Sequence, residues 1–588
     1  MIVNSVWAAA PVVAMGLSFA AGLALATQLG RVSHGPWHAQ RLGLARALRR
    51  SARAWVLARC RVPAVLLADA LADAASVDAD GFALVDLRLV GARLIGVEPA
   101  ASNGPPAKPR GLAALVERVV GEAALDLGGR IILPRFVDAH AHPLKSNLIA
   151  RTPNPTHSPN GALTCEVRDH AHWLGTAERA ANALARRLDF ALGCALHHGT
   201  KAMRAHLDGL QDLEPELGAL VWAEFDGARA RWLSRGLELQ GVANLYLPAY
   251  APADARAQAR TRAHVAAAAC RAGAVLGAYC PFEQTEPALL ALWLDALFAH
   301  AQAQPRAPPT GAAMAAGAAP AERELDVDLH IDEHADPSYA SLALPALCAA
   351  LERARARGYG GHVLLGHCTA LCLRLPGASA SDDRARQELI ERMATLGPAL
   401  TVVANPLTNC ALQDRQGTAT PVKAVEPRLG PRTPVWRGLT ALQELRAAGV
   451  RVAAASDNVR DWWFAYGDYD MLEVTSQSVR LAHLDSAGVA SASHDGGAPP
   501  RPADWLALAG LWPARAICAE GGAGELLLGE PLDAIAFDAR SLSELLARPQ
   551  SDRAVFVRGK LLDGALPRYE ELDEMNALVE KQQGAHAV

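Results

Sequence analysis

Eight short apolar runs alternate along this chain with Ala/Arg/Leu-rich helical stretches. That alternation constrains the fold more than any other feature. The runs end in Phe136-Val137-Asp138, Ala202-Met203-Arg204-Ala205-His206, Leu245-Tyr246-Leu247-Pro248, Val275-Leu276-Gly277-Ala278-Tyr279, Val327-Asp328-Leu329-His330, Val363-Leu364-Leu365-Gly366-His367, Leu400-Thr401-Val402-Val403-Ala404-Asn405 and Val452-Ala453-Ala454-Ala455-Ser456-Asp457. Strands alternating with helices build a parallel sheet, and eight such units close into a (β/α)8 TIM-like barrel. Polar, chemically useful residues close most of the runs, at the end where such barrels carry their active sites.

On either side of the barrel the pattern changes to short alternating runs. Phe82 to Val90 and Ala92 to Val97 read as strands, as do Asp533 to Phe537 and Ala554 to Leu562 in the tail. The expectation is a small β-sandwich domain formed from both flanks, 56–132 plus 525–575, enclosing a barrel over 133–524. A chain of 588 residues, half of them hydrophobic, has room for this arrangement. The stretch 301–321, rich in Pro, Gly and Ala, reads as a flexible insertion, and 377–383 and 491–502 as shorter loops.

The extension 1–55 admits three readings: a membrane anchor, an alanine-rich helix or an artefact of where the reading frame was started. Residues 1–30 carry no charged side chain, and a basic stretch with Arg41, Arg46, Arg49, Arg50 and Arg53 follows. That order suits a membrane anchor with a cytoplasmic basic flank. The blander reading is an alanine-rich helix outside the functional domain. A secretory signal would place its basic region before the apolar core, and none stands there. Ten scattered cysteines without a CxxC pair suit reduced thiols in a cytoplasmic enzyme, with membrane anchoring through 1–30 as the alternative. A net charge of -4 gives no electrostatic draw toward nucleic acid or an anionic membrane. The expected partner is therefore a small molecule; a homo-oligomer is compatible with the sequence but no interface is legible in it.

The chemistry concentrates around Phe136-Val137-Asp138-Ala139-His140-Ala141-His142. Side chains alternate along a strand, so His140 and His142 leave the same face and make half of a metal site. His330 would add a third nitrogen and Asp457 a carboxylate oxygen. This donor set suits one divalent ion, Zn2+ or Fe2+, with room left for water. His367, closing the sixth run, would hydrogen-bond the water or the substrate. Glu333 follows His330 by three residues and could carry a proton between water and a leaving nitrogen. Asp332 and His334 are equally polar neighbours, so spacing does not choose among the three. No lysine closes the fourth run, which makes a mononuclear site the simpler reading.

In order, HxH, His-x-x-Glu, His and Asp resemble the amidohydrolase superfamily, and its cytosine deaminase branch in particular. Longer strings carry the resemblance: Met203-Arg204-Ala205-His206-Leu207-Asp208, Ala404-Asn405-Pro406-Leu407-Thr408-Asn409, and Asp457-Asn458-Val459-Arg460-Asp461-Trp462-Trp463. It implies that His140, His142, His330 and Asp457 hold one Zn2+ or Fe2+ and that Glu333 shuttles protons. It further implies that His367 and Asp457 orient the water, and that Trp463 lies against the flat face of a heterocycle. His206, Asn458, Ala249 and Tyr250 fall at positions that the resemblance assigns to the substrate's surroundings. The reaction implied is attack of metal-held hydroxide on an amino-bearing ring carbon with release of ammonia.

The departures bear on the substrate. Where cytosine deaminases carry Phe-Pro-Gln-Glu, this chain has Leu247-Pro248-Ala249-Tyr250, so Ala249 replaces the glutamine amide that reads the pyrimidine edge. Asn458 stands for a second aspartate, Ser456 for a histidine, and Pro143-Leu144 for Leu-Asp after HxH. Polar readers set specificity strongly, because a missing partner leaves a buried group unpaired. The expectation is a deaminase of a small N-heterocycle, cytosine-like or larger. Hydrolysis of a cyclic amide or an N-alkylated triazine-like ring is the alternative, and a non-catalytic, membrane-tethered binding protein is the reading from another class. The nucleic-acid deaminase signature, H-x-E followed by P-C-x-x-C, is absent.

Overall fold

The computed structural model describes residues 54–67, 76–101, 122–169, 179, 182–271, 273–281, 285–304, 324–336, 338–372, 379–415, 433–434, 436–486, 500–519, 524–549 and 552–586. Residues 1–53 of the extension and 305–321 of the insertion lie outside them, so neither expectation is addressed there. Ala301 to Ala303 do not belong to a loop: they close the helix Pro287–Ala303. No helix among the described residues is long and apolar enough to cross a membrane.

The amino-terminal flank supplies β1 (Ala54–Pro63), β2 (Phe82–Val90), β3 (Arg93–Pro99) and β4 (Glu122–Asp126), which form a sheet in the order β3-β2-β1-β4. β1 begins inside the segment read as an extension. It pairs antiparallel with β2 and parallel with β4, with Ala54 opposite both Val90 and Glu122. The next strand, β5 (Ile132–Pro134), joins the tail instead.

The barrel follows: β6 (Phe136–Ala141), β7 (Thr200–Leu207), β8 (Glu238–Tyr246), β9 (Val275–Tyr279), β10 (Val327–Ile331), β11 (Val363–His367), β12 (Leu400–Ala404) and β13 (Arg451–Ala454). All eight pair in parallel with their sequence neighbours. Their runs of Val, Leu and Ala are buried on both faces, as strands walled by helices must be. Val137, Leu364, Val403 and Ala453 pack together within one core cluster. The third run ends earlier than its apolar pattern suggests: β8 stops at Tyr246, and Leu247–Tyr250 form a 3-10 turn. Pro248 has no N–H to give a neighbouring strand, so the ladder does not continue through it.

Closure takes place at the polar end. Ala141 forms a parallel bridge with Asp457. The Asp457 amide donates to His140 O at 2.9 Å and the His142 amide to Asp457 O at 3.1 Å. Asp138 adds a side-chain stitch, accepting from the Ser456 amide at 3.1 Å and from its hydroxyl. Ser456 is thus occupied in joining the first and last strands.

The tail contributes β14 (Ala534–Phe537), β15 (Arg553–Val557) and β16 (Lys560–Leu561), ordered β16-β15-β14-β5. This sheet touches the barrel where its helices end and its strands begin. Arg135 donates to Thr200 O and, at 2.9 Å, to Gly236 O; Arg553 reaches His198 O at 3.1 Å. The helices Ala183–His198 and Pro215–Arg235 both stop at left-handed glycines, Gly199 and Gly236, whose carbonyl-side turns feed β7 and β8. The opposite end of the barrel stays open for chemistry.

Candidate active site

At that open end three imidazoles and a carboxylate converge. His140 Nε2 and His330 Nε2 lie 3.1 Å apart, and His330 Nε2 and His142 Nε2 3.2 Å apart. Asp457 Oδ1 stands 3.3 Å from His142 Nε2 and 3.6 Å from His140 Nε2. His140 and His142 thus both approach His330 and Asp457. These separations are the edge lengths expected when each atom sits about 2.0–2.1 Å from one shared ion.

A second observation supports that fit. Asp457 is fully buried, and neither carboxylate oxygen has a hydrogen-bond partner among the described residues. An unpaired buried carboxylate is expensive, and a cation at the focus of these donors would satisfy it. Burial alone would raise the Asp457 carboxyl; the imidazoles of His142, His367 and His140 hold it well below the usual range. His140, His206 and Asp328 form a looser grouping, with both imidazoles 3.7 Å from Asp328 Oδ1. There Arg204 already reaches Asp328 Oδ2 at 3.2 Å, which makes it a poorer cation site.

The rings of the candidate ligands are held from behind. His142 Nδ1 pairs with Asp208 Oδ2 at 2.7 Å, which leaves Nε2 with its lone pair toward the focus. Asp208 is itself held by Asn244 Nδ2 at 2.8 Å and Lys145 Nζ at 3.1 Å. Gly366 clears space for His140: a Cβ there would lie 2.8 Å from His140 Cε1. Asp457 and His367 both adopt left-handed backbone, at φ +62° and +71°, a conformation that costs energy for non-glycine residues and clusters at functional sites.

The structure separates the three polar residues after His330. Asp332 accepts from the Ala343 and Leu344 amides at 2.7 and 3.2 Å, so it caps the helix Leu344–Ala356. His334 Nδ1 accepts from the Asp336 amide. Only Glu333 faces the pocket, its Oε1 3.4 Å from His367 Nδ1. Burial, then the charge of Asp457, push its carboxyl well above the ordinary range. His367 Nδ1 pairs with Asn409 Oδ1 at 2.9 Å, and burial pushes the ring down to about 4, so it stays neutral.

A single pocket joins His142, His330, Glu333 and His367 to Asn458 and Trp463, as expected, and to Lys145, Glu166, Asp208 and Tyr279, which the sequence reading passed over. Asp461 sets the two expected wall residues, accepting from Asn458 Nδ2 at 2.8 Å and from the Trp463 amide at 2.9 Å. Three expected substrate contacts are not on that wall. His206 is fully buried behind the ligands, its ring 4.1 Å from that of His140 and 4.8 Å from that of His330. Tyr250 turns outward, donating to Gly277 O at 2.8 Å beside His300. Ala249 sits in the same turn, its carbonyl accepting from Thr261. Both follow from the early end of β8, which carries the turn off the barrel mouth.

A (β/α)8 barrel with this donor set at its open end defines a metal-dependent hydrolase. A model described as amidohydrolase family matches residues 272–564. A pterin deaminase of Rhizobium rhizogenes is 32% identical over 452 residues, spanning 77% of this chain and 85% of that protein. The chain belongs to the amidohydrolase superfamily and is a hydrolase of C–N bonds other than peptide bonds. Among solved structures, the fold is shared with 5-methylcytosine deaminase of Klebsiella pneumoniae liganded with phosphonocytosine, at TM-score 0.59 and 20% identity over 88% of this chain and 100% of that one. It is also shared with N-isopropylammelide isopropylaminohydrolase of Burkholderia multivorans, at TM-score 0.52 and 21% identity over 87% and 98%.

Proposed function

We propose that this protein hydrolytically deaminates a pterin-like 2-amino-4-oxo N-heterocycle. The observation that carries the reading is the placement of Glu333 and His367 on the same pocket wall as the convergent nitrogens of His142 and His330. The similarity to a pterin deaminase supports the substrate class. The absence of a cytosine-reading glutamine, with Ala249 in its place and off the wall, weighs against cytosine.

One divalent ion, Zn2+ or Fe2+, would be held by His140, His142, His330 and Asp457, and would supply a Lewis acid that makes water nucleophilic at neutral pH. The rest is done by side chains. Neutral His367, its Nδ1 proton engaged by Asn409, presents Nε2 as an acceptor that orients the attacking water. Glu333, with its raised proton affinity, takes a proton from the water and delivers it to the departing nitrogen, so that the amino group leaves as ammonia. Trp463, fixed by Asp461 and Glu166, offers a flat face to the ring.

The test is ammonia release by the Zn- or Fe-loaded protein from pterin, cytosine and aminotriazines. Release from pterin with cytosine at least about 100-fold slower supports the reading. Efficient cytosine turnover, or silence across the panel with metal bound, overturns it.

A further inference from the structure

Lys145 and Glu166 serve no step of the reaction above, yet they meet on the pocket wall. Lys145 lies in the 3-10 turn Pro143–Lys145 just after β6, and Glu166 on the helix Pro159–Asp169. Lys145 Nζ is 3.1 Å from Asp208 Oδ2 and 3.3 and 3.4 Å from the two oxygens of Glu166. Glu166 Oε2 accepts from Trp463 Nε1 at 2.7 Å. Both side chains line the pocket together with His142, Glu333 and His367. Lys145 is only 5% exposed, and a buried ion pair rarely stabilises more than apolar residues of the same volume would. Its presence here calls for another role.

The hydrogen-bond inventory points to that role. An ammonium carries three N–H donors, and Asp208 and Glu166 take two of them. Glu166 Oε2 is engaged by Trp463, whereas among the described residues Oε1 meets only Lys145 and keeps lone pairs for the cavity. Burial works against the charge on Lys145, but Asp208 and Glu166 outweigh it and keep the group cationic. The wall therefore presents one donor beside one acceptor. A glutamine amide presents the same pair on one side chain, and the residue at the expected glutamine position is Ala249. Lys145 is also separated from His142 by a single carboxylate, that of Asp208, so a ring held here has another edge toward the metal ligands.

We propose that Lys145 and Glu166 read a lactam edge of the substrate, Lys145 Nζ donating to the ring carbonyl oxygen and Glu166 Oε1 accepting from the adjacent ring N–H. The inference rests on the function proposed above and names the substrate feature that the pocket selects. Two charged readers discriminate strongly, because a ring lacking either group leaves a buried donor or acceptor of this ion pair unsatisfied.

The test is calorimetric binding to the metal-loaded full chain of two probes without an amino group, pteridin-4(3H)-one and its 3-methyl derivative. The wild type is expected to favour the N–H lactam by at least about 100-fold. Glu166→Leu should reduce that preference below tenfold. Lys145→Met should weaken both probes together, since both keep the carbonyl. General damage to the pocket would instead lower both probes equally in both variants, and metal content is measured alongside. An unchanged preference in Glu166→Leu, or failure of the wild type to bind the lactam, overturns the inference. Lack of ammonia release from pterin overturns the function above and leaves this binding ratio to be judged separately.

Discussion

His142 and Asp457 meet twice. The backbone amide of His142 donates to the Asp457 carbonyl at 3.1 Å, and His142 Nε2 lies 3.3 Å from Asp457 Oδ1. The first contact joins the first and last strands of the barrel; the second belongs to the donor cluster. Ligand geometry is thereby set by closure of the sheet, which is stiffer than a loop, and sites built on such elements are held more closely.

The two contacts separate on mutation. Asp457→Asn keeps the backbone seam and removes one anionic donor. Metal content, measured by atomic emission after dialysis, should fall below about a tenth of the wild-type value, because the candidate site loses its one anionic donor. The melting temperature of the variant should match that of chelated wild type to within about 2–4 °C. Full metal retention would remove Asp457 from the ligand set; a large loss of stability would show that the side chain also holds the seam.

Neighbouring acids should fail in different ways. Glu333→Gln is expected to retain metal and fold while kcat falls by about 10²–10⁴, the usual worth of general acid–base catalysis. Asp332→Ala should lose roughly 1–3 kcal/mol of stability, because two helix-terminal amides lose their acceptor. Paired kinetics and denaturation on both variants decide the assignment, and an active Glu333→Gln rules out proton transfer by that residue.

Asp208 would act on a metal held by His142 through the bond to its ring. Replacing it by Asn removes the negative charge that holds the Nδ1 proton in place. Metal affinity, read by competition with a chromophoric chelator, should drop about 10–100-fold. An unchanged affinity would mean that the tautomer of His142 is set elsewhere.

Some of this was legible in the sequence and some was not. The eight runs marked every barrel strand, because strands buried on both faces are dominated by apolar residues. HxH, His330 and Asp457 were legible because each lies at or just past a strand end, where direction follows from alternation. Lys145 and Glu166 were not: they reach the pocket from a turn and a helix whose orientation only the closed barrel fixes. His206 misled for a related reason. Like His140 and His330 it is the last residue but one of its strand, and only the closed barrel shows its ring fully buried behind theirs. Glu333 could be told from Asp332 only once the latter's helix-capping bonds were seen.

Asp461 gives a pH signature outside the ligand set. Burial raises its carboxyl to about 6, against the opposing pull of Lys145 and Asn458, while its unfolded value is about 3.9. A folded pKa raised above the unfolded one contributes stability that is complete below about pH 4 and is lost as pH rises through about 6. Asp461→Asn should remove that slope, so the stability difference between variant and wild type shifts toward the variant by up to roughly 3 kcal/mol between pH 4 and pH 7. The lost bond from Asn458 adds an offset common to all pH values. Denaturation at pH 4.5, 5.5 and 7 reads the slope; a difference independent of pH would show that Asp461 titrates normally.

His206 tests whether a buried imidazole can serve as packing alone. It is fully buried, neither ring nitrogen has a hydrogen-bond partner among the described residues, and burial first, then the neighbouring imidazoles, hold it well below its ordinary pKa. It is therefore a neutral ring, with its centroid 4.1, 4.9 and 4.8 Å from those of His140, His142 and His330. Its removal should let those rings relax into the space left behind. His206→Ala is expected to lose roughly 2–4 kcal/mol, as cavity-forming core substitutions do, and most of its metal. His206→Leu refills the space with no polar atom, and should restore at least half of the metal and bring kcat/KM to within tenfold of wild type. If the Leu variant binds metal fully but turns over as poorly as the Ala variant, the ring nitrogens take part in the chemistry, and packing is not the role of His206.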